Sequence, residues 1–134
     1  LPLAMADGYQ LQQVFLNIIT NAEQALLANG KGGSLTVTTS KGTNPTAPTI
    51  RIEITDDGPG VSPEHLHHIF DPFFTTKPVG QGTGLGLSIC CEILEDHGGS
   101  ITATSPPEGQ EKGTRFSLEL PVAKLSEQYP PSDN

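Results

Sequence analysis

The stretch QGTGLGLS, Gln81 to Ser88, holds three glycines in five residues and opens into an apolar run. Free N–H groups at a helix start attract anions, so a glycine-rich loop feeding a helix suggests phosphate binding. Neither familiar template fits. The dinucleotide fingerprint G-x-G-x-x-G fails because its last position falls on Leu85 or on Leu87. The P-loop closes with Gly-Lys-Ser/Thr, and no lysine follows these glycines. A second set of candidate groups lies near the other end of the chain. Gln10, Gln13, Asn17, Asn21 and Gln24 fall on one stripe if residues 8–29 wind as a helix at about 100° each. Such a stripe is either a solvated face or a ligand surface. Asn is a poor helix former, and free helix surfaces usually carry Lys and Glu. Amide oxygens can also ligate Mg2+ alongside waters and phosphates. Stripe chemistry alone leaves both readings open.

The elements that must position these groups fit one domain: 134 residues suffice for a single core. Aromatic residues are few and Trp is absent, so the core must be built from Ile, Leu and Val. A formal charge of −8 argues against a nucleic-acid backbone binder, which needs a basic face. It does not exclude ATP, which local donors and a metal ion can hold. No apolar run approaches the roughly 20 residues that span a bilayer, and no signal peptide is expected. No direct membrane contact and a reducing, cytoplasmic setting are expected. The chain opens LPLAMADG without an initiator Met, as an excised piece of a longer protein would. Cys90 and Cys91 are adjacent, which is neither a disulfide framework nor a zinc spacing.

Residues 8–29 carry Leu11, Val14, Phe15, Ile18, Ala22, Ala25 and Leu26 on one helical face, with Asp7 as N-cap and Gly30 as stop. Ser34–Ser40 and Ile50–Thr55 alternate as strands. Ser62 and Pro63 open a short helix over 63–70, and a third helix covers about 85–97 before Gly98 and Gly99. Ser100–Thr104 and Thr114–Leu120 are further strands. Paired strands joined by loops predict an α/β (α+β) two-layer sandwich, its mixed or largely antiparallel sheet covered on one face by three helices. The domain spans 1–122, with a flexible tail over 123–134.

Four stretches stand in order: LQQVFLNIITNAEQAL, TDDGPGV, IFDPFFTTK and GTGLGLS. Together they resemble the ATP-binding catalytic domain of two-component sensor histidine kinases, over about residues 3–122. That is the kinase branch of the superfamily shared with gyrase, heat-shock chaperones and mismatch-repair ATPases, and it implies the Bergerat fold. The compact FTTKP and NAEQAL resemble the nitrogen-regulator type. The resemblance implies that Asn21 holds Mg2+ on the ATP phosphates, with Asn17 facing the same cluster, and that these two act in catalysis. It implies that Asp56 accepts a hydrogen bond from the adenine amine, and that Gly58, Gly60 and Val61 shape the turn beside the base. By the same resemblance Thr114 would add a hydrogen bond there. Phe70, Phe73 and Phe74 would anchor a lid, although core packing accounts equally for Phe70. Thr76, Lys77, Gly82, Thr83, Gly84, Leu85, Gly86 and Leu87 would wrap the phosphates. Lys77 is the lid's cation and either contacts a phosphate or is solvated.

Many kinases of this type carry Lys, and often an aromatic, where this chain has Gln24 and Ala25, which shifts weight to Lys77. None of His65, His67, His68 and His97 sits in the His-Glu or His-Asp motif of a phosphoacceptor. The His65–His68 cluster is expected to be surface and partner-facing. The resemblance therefore implies the ATP-binding half alone, a monomer in isolation. Its partners would be a separate dimerisation and histidine-phosphotransfer domain of the same parent and, indirectly, a response regulator. Asn17 stands where hydrolytic relatives carry a water-activating glutamate, so slow hydrolysis is expected. An anti-sigma-factor-like serine kinase and a non-enzymatic nucleotide-binding module are the alternatives. The lid motif and HGGSI weigh against the first; the intact Asp56, Asn21 and glycines weigh against the second.

Overall fold

The computed structural model describes residues 1–4, 6–28, 30, 32–43, 47–75 and 86–123. Helix α1 (Gly8–Ala28) leads into strands β1 (Leu35–Lys41) and β2 (Thr49–Asp56). Helices α2 (Pro63–Leu66) and α3 (Gly86–Asp96) follow, then β3 (Ser100–Thr104) and β4 (Thr114–Pro121). The strands form one sheet in the order β1-β2-β4-β3, with every neighbouring pair antiparallel. Strict alternation decides the faces. Ile50, Ile52 and Ile54 of β2 and Phe116, Leu118 and Leu120 of β4 point toward the helices and are buried. Val14 and Ile18 of α1 and Cys90, Ile93 and Leu94 of α3 close over them. Each such aliphatic side chain contributes about 1.5–3 kcal/mol on burial.

The other face of the sheet is polar. Arg51 pairs with its register partner Glu119 at 3.6 Å, and Arg115 reaches Glu53 at 3.4 Å. The helix layer also stops short of β1. Val37, opposite Ile54 in register, stays 52 % exposed, and of this strand only Leu35 is half-buried.

Caps fix both long helices. Asp7 Oδ1 accepts from the N–H groups of Tyr9 and Gln10 at 2.9 and 3.2 Å, as an N-cap should. At the end of α3, Gly98 adopts φ +72°, the N–H of Gly99 donates to Leu94 O and that of Gly98 to Glu95 O. This is a Schellman closure. Gly99 also lies where any Cβ would collide with Glu119 O. His97, just before, ties the helices together: Nδ1 donates to Ile93 O at 2.7 Å, and Nε2 accepts from the Asp7 N–H at 3.0 Å.

The second helix is shorter than the sequence predicts. It is one turn, capped by Ser62, and residues beyond Leu66 fold as successive turns rather than continuing to 70. The N–H of His68 donates to His65 O, that of Asp71 to His68 O, and that of Phe74 to Asp71 O. These are tighter i to i+3 bonds, and Pro72 disfavours helical backbone at Asp71. The covering layer is therefore two long helices plus a single turn. No described helix is long and apolar enough to cross a membrane.

Candidate nucleotide-binding site

The site is framed by the middle of α1, the start of α3 and the β2 and β4 ends that carry Asp56 and Thr114. Asn17 and Asn21 are one helical turn apart on α1 and both are half-buried, whereas Gln10, Gln13 and Gln24 of the same stripe are exposed. The stripe thus divides into a half-buried pair and a solvated remainder. Asn17 Nδ2 donates to Gly86 O, in the first turn of α3, at 3.3 Å. With Nδ2 committed there, Oδ1 is left to accept or to ligate. A hard divalent cation that also takes phosphate oxygens and waters needs only one or two protein oxygens. The amide oxygens of Asn17 and Asn21 fit that demand. Among the described residues, no cluster of His, Cys, Asp and Glu offers a competing metal cage. Glu23 is the one acid within α1, and it is exposed.

Between these helices, the Cys90 thiol donates to Val14 O at 3.7 Å. Burial pushes its pKa up to about 11, which keeps it a protonated packing group.

At the other end of the site, Asp56 is 4 % exposed and Thr114 5 %, and the two are register partners. Asp56 Oδ1 accepts from the Gly58 N–H at 2.9 Å. Burial raises the carboxyl's pKa, backbone N–H donors from Gly58 and Thr114 oppose that rise, and the neighbouring Asp57 carboxylate adds to it. The two consecutive acids separate in role. Asp57 Oδ1 takes the Ser34 N–H at 2.7 Å and bolts the start of β1 in place, while Asp56 points inward. Gly60 adopts φ +81°, and a Cβ there would lie 2.8 Å from Ser105 Oγ. A side chain at Gly60 would thus run into the β3–β4 loop. Val61 donates its N–H to Ser105 Oγ at 2.8 Å.

Ser105 is a residue that sequence reading passes over. It sits in a Pro-, Gly- and Glu-rich loop, and its partners lie 44 and 8 residues away, so no local pattern marks it.

The phenylalanines part ways. Phe70 lies edge-on to Phe116, ring centres 6.2 Å apart, and belongs to the core. Phe74 is half-buried against His65 and His68, at 5.5 and 6.0 Å. His68 Nδ1 is in turn 2.9 Å from Asp71 Oδ2. Two of the cluster's histidines therefore hold Phe74 rather than only facing outward. Phe73 adopts φ +66° and is 74 % exposed, so it does not share this buried role. Gly86 and Leu87 open α3, with Leu87 against the core. Thr76, Lys77, Gly82, Thr83, Gly84 and Leu85 lie outside the described residues. A cleft of about 380 Å3 opens beside Asp56 and Asp57 and is lined as well by Ser34, Thr36, Thr55 and Lys112. Thr36 and Thr55 alternate with the helix-facing residues, so the sheet stands between this cleft and Asn17.

Residues 6–124 match the family described as histidine kinase-, DNA gyrase B- and HSP90-like ATPases. The chain is 44 % identical over 122 residues to sensor histidine kinase ZraS of Escherichia coli, covering 91 % of this chain and 24 % of that protein. It is 38 % identical to the sensory histidine kinase/phosphatase NtrB of Rhizobium meliloti, covering 92 % and 33 %. The solved structure of full-length ShkA in complex with AMPPNP superposes with a TM-score of 0.73 at 30 % identity, over 92 % of this chain and 24 % of that one. The chain thus spans about a quarter of the length of ZraS. Its antiparallel sheet, one-sided helix layer and four ordered motifs agree with these likenesses: the chain belongs to the histidine kinase-, DNA gyrase B- and HSP90-like ATPase family, as the ATP-binding catalytic module of the sensor histidine kinases.

Proposed function

We propose that this module binds Mg-ATP with the adenine at Asp56 and the phosphates between α1 and α3. It presents the γ-phosphate to a histidine on a separate helical dimerisation domain of the same parent, from which a response regulator would take it. The observation that carries the reading is the buried Asp56 carboxylate. An ionised carboxylate only accepts, and adenine offers an exocyclic N–H donor where guanine offers an oxygen. At the phosphate end, Asn17 and Asn21 would supply amide oxygens to Mg2+, which when bound supplies the main positive charge on the phosphates. The first turn of α3 would offer its backbone N–H groups to the same phosphates. The protein's share of phosphoryl transfer is then positioning and charge neutralisation.

No carboxylate occupies the Asn17 position to activate water, and an amide is no general base near neutral pH. Bound ATP should therefore wait for its histidine. The test uses ATP labelled at the γ-phosphate. Alone, the chain should retain the label on ATP; with the parent's helical domain added, the label should move to that domain's histidine. Rapid release of labelled phosphate by the chain alone would contradict the reading, as would no transfer on mixing.

A further inference from the structure

Ser105 Oγ joins the two loops that flank Asp56. Its proton goes to Gly113 O at 2.6 Å, and the oxygen accepts the Val61 N–H at 2.8 Å. Gly113 immediately precedes Thr114, and Val61 immediately follows the turn that carries Gly58 and Gly60. One hydroxyl thus sets the spacing between the acidic turn and the start of β4. The packing leaves little slack. A Cβ on Gly60 would sit 2.8 Å from Ser105 Oγ, and one on Gly113 would collide with Asp56 O.

The proton count gives this hub a chemical consequence. A serine hydroxyl has one proton and two lone pairs. Its proton is committed to Gly113 O, so in the longer 3.5 Å contact with Thr114 Oγ1 the threonine must be the donor. Thr114 then turns only lone pairs toward the space beside Asp56. We propose that Ser105 is a specificity-positioning residue: by holding Val61, Gly113 and the Thr114 proton, it makes Thr114 a second acceptor next to Asp56. The pocket end then selects a purine with a 6-amino group and sets acceptor against acceptor for a 6-oxo purine. This rests on the assignment of the base to Asp56.

Calorimetric titration of the chain with Mg-ATP and Mg-GTP tests it. Ser105→Val and Ser105→Thr are compared, because they share shape and differ in the hydroxyl. Ser105→Val should lower the ATP-over-GTP affinity ratio at least about 5-fold, on the scale of one hydrogen bond, and Ser105→Thr should keep it near the wild-type value. A merely structural role would weaken both nucleotides equally, and an unchanged ratio in Ser105→Val would overturn the proposal. Wild-type protein that binds neither nucleotide would remove the base-site assignment, and this proposal with it.

Discussion

Asp56 is held where a carboxylate is costly, and that cost is measurable in the absence of any ligand. Burial raises its pKa above the usual 3.8. Between the unfolded and folded values the folded protein binds the extra proton, so stability falls as pH rises through that window. Asp56→Asn removes this titration and keeps an oxygen for the Gly58 N–H. The variant should resist denaturant better than wild type at neutral pH, and its advantage should vanish below the ordinary carboxylate range. An advantage of equal size at both pH values would show that burial of the charge is not its cause. Which acid of the Asp-Asp pair turns inward follows from strand alternation, because Asp56 continues the face of Ile50, Ile52 and Ile54. The roles of Ser105 and of the individual phenylalanines do not follow from local pattern. They depend on contacts made after the sheet has formed, between a β3–β4 loop and a distant turn, or between a ring and neighbouring histidines.

At the scale of elements, period and caps carry most of the information. The 3.6-residue spacing of Val14, Ile18 and Ala22 marks the buried face of α1, and Asp7 caps it as its position implies. Pattern says less about where a layer ends. β1 alternates as plainly as β2, yet its helix-facing Val37 is half open because α1 lies over β2 and nothing among the described residues continues the layer. The two positions should therefore respond differently to truncation. Ile18→Ala should cost about 2–5 kcal/mol in denaturant unfolding, whereas Val37→Ala should stay within about 1 kcal/mol, its lost burial being partial. Equal losses would mean that β1 is covered in solution. The single turn of α2 is the other element that pattern overstates: Ser62 and Pro63 announce its start, and it ends at Leu66, six residues before Pro72.

Across the whole molecule, α1 and α3 are joined at three levels. His97 bonds to Asp7 at one end, Cys90 to Val14 in the middle, and Asn17 to Gly86 at the mouth of the site. The sequence marks His97 only as a residue before a helix stop; its partner is 90 positions away. This stitching fixes the gap that the phosphates would enter, and the sheet fixes the distance from that gap to Asp56. A fold built this way explains how a chain of net charge −8 can hold a polyanion. On the proposed reading, affinity would come from oriented amides, helix-start N–H groups and a metal ion rather than from a basic surface. The most direct test is thermal unfolding of the wild-type chain and of Asp56→Ala with Mg-ATP and with Mg-GTP. Mg-ATP alone should raise the melting temperature of the wild type, by several degrees at about 100 times the dissociation constant, and Asp56→Ala should show no shift. Equal stabilisation by both nucleotides, or an undiminished ATP shift in Asp56→Ala, would contradict the account.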